Sequence, residues 1–427
     1  MKRYEKYKKV DLHWIEEVPE HWGLHKIKHV FKERSEKGYP NEKLLAATQN
    51  HGVIPKDLYE NRTVLAMKGL ETLKLVRIGD FVISLRSFEG GIEYAYYQGI
   101  ISPAYTVIYS NQMLEDRYFK YLGKSFPFIQ LLQLCVTGIL EGQNINYGLL
   151  KNKKIPIPSK SEQKKIAAFL DYKISRIDKT IKFENEKKEF INKLKQSIIS
   201  DAVTKGLNPN VSMKDSKVDW IGNIPRSWEI VKIKRLFQIQ KRIAGKEGYK
   251  VFSITQKGLK VKDISRNEGQ MAADYSNYQL VYPGDFAMNH MDLLTGFVDC
   301  AKEFGVTSPD YRVFECISEK CLKQYYLYIF QLCYKNHIFY RHGRGAATLG
   351  RWRMPSIEFL NFEIPLPALD EQKKIVKYLD EKTSQIDDCL TKIDEKIDKL
   401  ESLKQSLISE VVIGQIDVRD FEIPEEG

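Results

Sequence analysis

The chain has 427 residues, enough for roughly three domains of average size. It carries 67 Lys and Arg against 56 Asp and Glu, a net charge of +11, and 43% of its residues are hydrophobic. This composition excludes a mainly disordered chain, and the basic excess permits a polyanionic partner without requiring one. The sequence has no run of ~18 apolar residues that could span a membrane. Its six cysteines form no Cys-x-x-Cys pair, so we expect a cytoplasmic protein with reduced thiols and no membrane partner.

The first predicted element in chain order is a tryptophan-containing lead-in at residues 14–22. A variable globular region follows, over about residues 20–154. Apolar or alternating runs at residues 80–84 and 106–109 predict strands, and the aromatic-rich run at residues 118–134 predicts a buried helix. Strands and helices in one region favour an α/β or α+β domain.

A long helix is predicted after the sequence Ile-Pro-Ile-Pro at residues 155–158. The prolines cannot continue a helix backwards, Ser161 can cap its N-terminus, and Glu162 in the first turn suits the helix dipole. Apolar residues recur in steps of three, four and seven over roughly 40 residues, which is the pattern of a coiled-coil seam. Glu184 and Lys188 interrupt the seam in this helix.

The second half of the chain repeats this plan. At an offset of 209 residues, Ile-Pro-Leu-Pro at residues 364–367 precedes a second long helix with Asp370 as its predicted N-cap, and 23 of 51 paired positions are identical. The tryptophan-containing lead-in recurs at an offset of 206. Between them lies a second globular region, residues 226–363, with a predicted buried helix at residues 322–333. The protein is therefore two copies of one plan.

Each seam needs a partner helix, and the obvious partner is the other copy. The same apolar positions are our candidates for an interface between helices or subunits. These interface candidates are Ile177, Ile181, Leu194, Ile386, Leu390, Ile393, Ile397 and Leu400.

The sequence predicts no catalytic centre, no cofactor site and no metal site. It has no Gly-rich loop after a strand, no Asp/Asn-Pro-Pro-Tyr/Phe sequence of an amino-methyltransferase, and no credible nuclease or Ser-His-Asp set. His21, His25 and His29 stand at helical spacing, but the second copy has no histidine at the matching places. We therefore interpret them as surface histidines and not as zinc ligands.

Loops in both halves are rich in side chains that can contact nucleic acid. Asn and Gln can pair with adenine edges and Arg with guanine in the major groove, whereas Lys and the remaining Arg would contact phosphates. Any one of these residues could equally be a solvated loop residue, but the arginines between Arg341 and Arg353 need an anion or a carboxylate partner. The candidates for DNA binding are Gln49, Asn50, His51, Arg86, Ser87, Gln143, Asn144, Gln256, Lys257, Asn289, His290, Arg341, Arg344, Arg351 and Arg353.

The complete pattern is Trp-Ile-x2-Val/Ile-Pro-x2-Trp, a variable region, Ile-Pro-Ile/Leu-Pro, Glu-Gln-Lys-Lys-Ile and a long helix, twice over. It resembles the specificity subunit of type I restriction-modification systems over residues 10–415. The resemblance implies an α+β fold: two α/β target recognition domains in a pseudo-twofold tandem repeat, with two long helices forming an antiparallel coiled coil. The expected segments are 1–154, 155–209, 210–363 and 364–415, with a tail at 416–427.

The resemblance also implies a function. Such a subunit has no catalysis of its own and recognises a bipartite double-stranded DNA sequence, one half-site per domain. It binds two methyltransferase subunits that methylate adenine and, through them, restriction subunits that translocate DNA. S-adenosylmethionine, ATP and Mg²⁺ are then cofactors of those partner subunits, and this chain binds none.

Two other functions remain open at this point. One is a stand-alone DNA methyltransferase or nuclease fused to a DNA-binding module, and methylation by the purified chain alone would identify it. The other is a coiled-coil scaffold with no role on DNA. A scaffold predicts no salt-sensitive DNA binding, whereas a phosphate-contacting protein loses affinity steeply as salt rises.

Adding or removing one heptad between Ile177 and Ile198, or between Ile386 and Leu407, should change the spacer between the half-sites and leave their sequences unchanged. The reason is that the length of the helices is expected to set the distance between the two domains. The methylated motif of the altered strain measures the spacer directly, and an unchanged spacer would contradict this role of the helices.

Overall fold

The computed structural model describes residues 2–59, 69–138, 143–263, 274–344 and 352–424. The chain divides into two compact units: Met1–Asn185 with Asp394–Gly427, and Glu186–Ile393. Each unit thus contains one globular region and a part of both long helices.

In the described part of the first unit the strands alternate with short helices before the first long helix. The strands are β1 (Tyr7–Leu12), β2 (Ile15–Pro19), β3 (Gly23–Lys26), β4 (Phe31–Arg34), β5 (Leu45–Thr48), β6 (Gly52–Pro55), β7 (Lys74–Val76), β8 (Phe81–Ile83), β9 (Glu93–Tyr94), β10 (Gly99–Ile101), β11 (Thr106–Ser110), β12 (Val136–Thr137), β13 (Asn144–Ile145) and β14 (Lys154–Ile157). The helices are α1 (Ile27–Val30), α2 (Ser87–Gly90), α3 (Asp116–Leu122), α4 (Phe126–Gln133), α5 (Tyr147–Leu150) and α6 (Lys160–Lys205), whose last residues belong to the second unit, and short 3-10 helices lie at Lys56–Leu58 and Leu70–Thr72.

The described part of the second unit repeats this order. Its strands are β15 (Met213–Asp215), β16 (Asn223–Pro225), β17 (Glu229–Lys232), β18 (Phe237–Gln240), β19 (Val251–Thr255), β20 (Gly258–Val261), β21 (Gln279–Val281), β22 (Phe286–Met288), β23 (Val298–Cys300), β24 (Gly305–Thr307), β25 (Arg312–Cys316) and β26 (Glu363–Leu366). Its helices are α7 (Lys323–Lys335), α8 (Ile338–Arg341), α9 (Ser356–Asn361) and the first part of α10 (Leu369–Val412), with a 3-10 helix at Ile233–Arg235.

The same antiparallel sheet forms the centre of each globular region. Its strand order is β4-β11-β8-β9 in the first unit and β18-β25-β22-β23 in the second. Apolar residues of the first sheet, such as Phe81 and Ile108, pack with Phe119 of α3 in the main core. In the second unit Phe286 and Phe314 occupy the corresponding core with aromatic residues of α7. The structure confirms the predicted strands and the α+β class.

The chain enters and leaves each globular region on paired strands. In the first unit β3 pairs antiparallel with β14, so that Lys26 lies opposite Lys154. In the second unit β17 pairs with β26 in the same way, and Lys232 lies opposite Glu363. Each globular region is therefore an insertion whose two ends meet at one place.

The predicted helix at residues 118–134 is two helices, α3 and α4, separated at Gly123. Pro127 has no backbone N–H and cannot sit inside a continuous helix. Its position in the first turn of α4 is compatible with a helix start, and the Ser125 hydroxyl accepts a hydrogen bond from Phe128 N as the N-cap. The second predicted buried helix is confirmed as α7.

Both long helices are confirmed, with 46 and 44 residues. The predicted caps are wrong by two residues in each case. The Ser159 hydroxyl, and not that of Ser161, accepts from Glu162 N at 3.3 Å. In α10 the backbone of Ala368 accepts from Glu371 N, and Asp370 is an exposed residue of the first turn.

The helices run antiparallel within each unit. In the first unit Asp178 pairs with Lys404, and in the second Asp387 pairs with Lys195, in both cases at 2.5 Å. These two ion pairs are related by the 209-residue repeat. They place Lys195 and Lys404, and not the adjacent leucines, at seam positions.

Seven of the eight interface candidates lie on the seam faces of the helices, partly or fully covered; the fully buried one is Ile393. Leu194 is wrong as a seam residue, since 45% of its surface is exposed. The charged interruptions are confirmed: Glu184 is buried, its carboxylate accepts from Lys396 at 2.5 Å, and Lys188 is half-buried.

The start of each long helix is tied to its lead-in by a carboxylate. Glu162 is buried, and its Oε1 accepts from Trp22 Nε1 at 3.1 Å and from the Tyr4 hydroxyl at 2.6 Å. Its Oε2 lies 2.9 Å from His21 Nε2. Glu371 accepts from Trp228 Nε1 at 2.8 Å.

The next residue of each helix, a buried glutamine, ties the helix to the globular region. Gln163 donates to Met113 O and Pro158 O and accepts from Glu115 N. Gln372 makes the equivalent three bonds, to Lys320 O, Pro367 O and Leu322 N. We call the Glu and Gln pairs, Glu162–Gln163 and Glu371–Gln372, the helix clasps.

Replacing Glu162 by Ala should lower the free energy of unfolding of the first unit by about 2–3 kcal/mol, because buried donors lose their acceptor. Glu371→Ala should cost about 1 kcal/mol, since the described contacts of Glu371 include only one side-chain donor. Urea unfolding followed by tryptophan fluorescence measures both values.

Glu401→Ala, at an exposed position of α10, is the control for the loss of a helical carboxylate. Equal losses in the free energy of unfolding for Glu162→Ala and Glu401→Ala would contradict the stabilising role that we assign to the helix clasp.

Candidate nucleic-acid interface

A tight turn between β5 and β6 presents three of the predicted DNA contacts. The Thr48 hydroxyl donates to Gly52 O at 3.0 Å and accepts from His51 N at 3.1 Å. Gly52 has a φ of +70°, which favours glycine. This turn leaves Gln49, Asn50 and His51 exposed.

The loop after β8 lies beside that turn. A cavity of about 870 Å³ is lined by Gln49, Asn50 and His51 from one side and by Ser84 and Arg86 from the other. The structure thus brings together candidates that lie more than 30 residues apart in sequence. Arg86 is exposed.

Ser87 differs from its neighbours because it is buried. Its hydroxyl accepts from Ser84 N at 2.9 Å and lies 3.2 Å from the Ser84 hydroxyl. These contacts assign Ser87 to the shape of the loop, in place of the direct contact with DNA that we expected.

Gln143 and Asn144 are exposed at the short ladder of β12 and β13. Asn144 Oδ1 accepts from the Thr137 hydroxyl at 3.4 Å. β13 lies against α2, which follows the Arg86 loop. These two candidates therefore lie on the same side of the first globular region as Arg86.

The turn between β19 and β20 of the second unit is built like the first. The Thr255 hydroxyl donates to Gly258 O at 2.9 Å and accepts from Lys257 N at 3.1 Å. Gln256 and Lys257 are exposed on it. The same threonine-based turn therefore carries Gln-Asn-His in one unit and Gln-Lys in the other.

The other candidates of the second unit meet at a two-residue bridge. Arg344 N donates to Arg353 O at 2.8 Å, and Arg353 N donates back to Arg344 O at 3.1 Å. Met354 N donates to His290 O, which joins this bridge to the loop after β22. Arg341, Arg344 and Arg353 are exposed, while Asn289 and His290 are half-buried. Arg351 lies outside the described residues.

His290 lies near two positively charged residues, Arg312 and Arg353, and the sequence did not indicate this arrangement. Arg312 is buried, and its Nη2 donates to Met354 O at 2.8 Å. Burial lowers the pKa of Arg312 to about 10. Burial, followed by the positive charges of Arg312 and Arg353, lowers the pKa of His290 to about 3. His290 is therefore neutral at physiological pH and can read a base but not neutralise a phosphate.

A second residue missed in the sequence lies in the first unit. Glu93 of β9 is buried at the floor of the Arg86 cavity, and its Oε1 accepts from Lys124 Nζ at 2.5 Å. Burial raises the pKa of Glu93 to about 7, although Lys124 opposes the shift. The repeat could have revealed this position, since the β-ladder places Asp299 at the matching register of the second sheet.

Within the described ranges, no group of three or more His, Cys, Asp or Glu side chains could hold a metal ion. No helix in that part of the chain is long and apolar enough to cross a membrane.

The two units share one arrangement, in which exposed polar loops lie on a globular region and a helix clasp joins that region to a long helix. This arrangement defines a protein with two copies of a recognition region. The type I restriction modification DNA specificity domain matches residues 19–193 and again residues 225–401. Together these matches cover more than half of the chain, so the protein belongs to the family of type I restriction-modification specificity subunits. The resemblance identified from the motifs is confirmed.

Relatives with known names agree. The MjaVIII specificity subunit of a type I restriction enzyme from Methanocaldococcus jannaschii is 28% identical over 346 residues, 76% of each chain. The putative MjaX specificity subunit from the same organism is 25% identical over 451 residues, 97% of each chain. Specificity subunits are the non-catalytic components of their complexes, so DNA recognition is the family role of this chain.

A solved structure shares the fold. A chain from the structure that describes complex assembly and conformational transition of the type I R-M system matches with a TM-score of 0.67. The match covers 93% of this chain and 99% of that chain at 16% identity.

Replacing exposed Arg353 by Gln should weaken DNA binding and reduce the slope of log affinity against log salt by about 0.9, because one phosphate contact releases its counterions. Titration of DNA at several salt concentrations measures the slope.

Arg117→Gln is the matched control, since Arg117 is exposed but pairs with Asp171 on the helical frame. The assignment fails if the two variants give the same slope.

Proposed function

We propose that this specificity subunit reads a bipartite DNA target, one half-site with each globular region, and directs adenine methylation and restriction by partner subunits. The observation that carries the proposal is the contrast between the constant and the variable parts of the two units. The helix clasps and the sheet order are the same in both. The exposed loops differ.

The loops differ while the sheets and helices that carry them are alike. The two globular regions are therefore suited to recognising unrelated DNA sequences. Gln-Asn-His in the first turn and Gln-Lys in the second offer different donors and acceptors to base edges. Arg86 has its counterpart in Met291 at the matching distance from the sheet. A protein with two different reading surfaces recognises an asymmetric pair of half-sites, as a symmetric dimer recognises a palindrome.

The duplicated frame also supports two copies of one partner. Because the long helices repeat, they present similar surfaces twice, which suits two methyltransferase subunits. In this proposal the partner subunits bind S-adenosylmethionine, ATP and Mg²⁺. Restriction subunits join through the methyltransferase subunits.

The experiment that tests the proposal is the methylome of the source strain with and without this gene, by single-molecule sequencing. Loss of one bipartite adenine-methylated motif is the expected result, and it gives both half-sites and the spacer. If every motif survives the deletion, the proposed function is wrong for this gene as expressed in that strain.

Replacing residues 27–153 with the region of another family member should change one half-site and leave the other. Both junctions lie beside the β3–β14 pair, where Ile27 N donates to Lys153 O at 3.0 Å, so the graft enters and leaves at adjacent points. The motif of the hybrid strain is the measurement. A change in both half-sites would contradict one region per half-site.

A further inference from the structure

Glu93 combines burial with an unused acceptor. Its side chain is 3% exposed, and Lys124 is its partner in an ion pair. The other carboxylate oxygen, Oε2, is buried with no hydrogen-bond partner in the described part of the chain. A buried acceptor without a donor is unfavourable, and a ligand that donates a hydrogen bond to it would remove that cost.

Lys124 fixes how this carboxylate is used. Its ammonium donates to Glu93 Oε1, to Gln49 O at 3.1 Å and to Gly90 O at 2.9 Å. An ammonium has three N–H donors, and these three acceptors match that number. Oε1 therefore already accepts a hydrogen bond from Lys124, and Oε2 is the carboxylate oxygen that remains as an acceptor.

Two cavities meet at Glu93. The first, of about 870 Å³, is the one between the Gln49 turn and the Arg86 loop. The second, of about 1,280 Å³, continues past Lys124 towards Tyr96 and Tyr97. Both are lined by Gln49 and Glu93, so the carboxylate borders both cavities. Oε2 itself is closed to water, so a base edge reaches it when the adjoining cavity wall moves aside.

The second unit does not repeat this arrangement. Asp299 stands at the matching register, but its Oδ2 accepts from Leu259 N and its Oδ1 accepts from Cys300 N, both at 2.8 Å. Backbone N–H groups of β20 and β23 therefore satisfy both carboxylate oxygens of Asp299. The unused acceptor is thus a property of the first globular region, within the described residues.

We infer that Glu93 determines specificity in the first half-site by accepting a hydrogen bond from an exocyclic amino group, cytosine N4 or adenine N6, through Oε2. In its ionised form the carboxylate accepts from such groups and repels the keto oxygens of guanine and thymine. Because burial raises the pKa of Glu93 to about 7, the base preference is measured at a pH well above that value. The inference rests on the proposed function and adds the chemistry of one position.

Glu93→Gln gives a directional test. Lys124 donates to the amide oxygen of the new side chain, which turns the amide NH₂ towards the place of Oε2. The amide NH₂ is a donor at the place where Oε2 was an acceptor. The preferred base should therefore change from one that carries an exocyclic amino group to one that carries a keto oxygen. Adenine would become guanine, or cytosine would become thymine, at one position of the first half-site.

The assay measures binding of the full chain, assembled with its methyltransferase subunits, to duplexes carrying the motif found in the methylome. Each adenine or cytosine of the first half-site is replaced in turn by the keto base of the same size, with its complement. Wild-type binding should fall about tenfold or more at one position, and Glu93→Gln should cancel or reverse that loss there.

Three controls accompany the measurement. Asp299→Asn should leave the base preferences at both half-sites unchanged, because backbone N–H groups of β20 and β23 already occupy the carboxylate of Asp299. Glu93→Asp keeps a carboxylate and should retain the amino preference with weaker binding. The second half-site, read by the same molecule, reports whether the Glu93→Gln chain is folded.

The inference is overturned if Glu93→Gln binds with the same base preferences as wild type at every position. It is also overturned if Glu93→Asp prefers the keto base. A wild-type complex with no bipartite preference would instead remove the proposed function itself, so the two failures are distinguishable.

Discussion

The architecture depends on two hydrogen-bonded polar residues at the start of each long helix, of which Glu162, Gln163 and Gln372 are buried and Glu371 is half-buried. Glu162 and Gln163, and Glu371 and Gln372, hold the lead-in on one side and the globular region on the other. Burial of such groups is favourable only when their donors and acceptors are paired. Here the pairing crosses from helix to lead-in to globular region. One dipeptide thus joins three segments through hydrogen bonds, and the chain uses it twice.

The repeat made the fold predictable, since the clasp residues lie within the segment that matches at an offset of 209. The Glu-Gln-Lys-Lys-Ile sequence, the hinge and the seam follow from local rules of helix capping and apolar periodicity. Errors arose where a single residue overrode the pattern. Pro127 divides a predicted helix into two, and Lys195 takes the seam position that we gave to Leu194. The partner of Lys195 is Asp387 of the other long helix, which the sequence of one helix alone does not show.

The recognition loops were predictable only as a class of residue. Polar composition identified the turns at residues 49–51 and 256–257, and the structure shows why they are exposed: a threonine hydroxyl closes each turn. Composition did not reveal Glu93 or Arg312, because both lie in strands among apolar neighbours. Their burial comes from the pairing of distant strands, which the sequence of one strand does not encode. A charged residue between apolar or aromatic neighbours was the available signal: Glu93 lies between Ile92 and Tyr94, and Arg312 between Tyr311 and Val313.

A consequence for folding follows from Glu184. A seam made only of leucine and isoleucine pairs almost as well after a slip of seven residues, since every heptad offers similar apolar positions. Glu184 faces Lys396 in the native pairing. After a slip of one heptad it would face Cys389 or Leu403 and lose that cation. Separating this buried carboxylate from the Lys396 ammonium is unfavourable, so the shifted pairings of the two helices are poor competitors. Glu184 interrupts the apolar seam, and it therefore favours the native alignment of the two long helices over alignments that are shifted by one heptad.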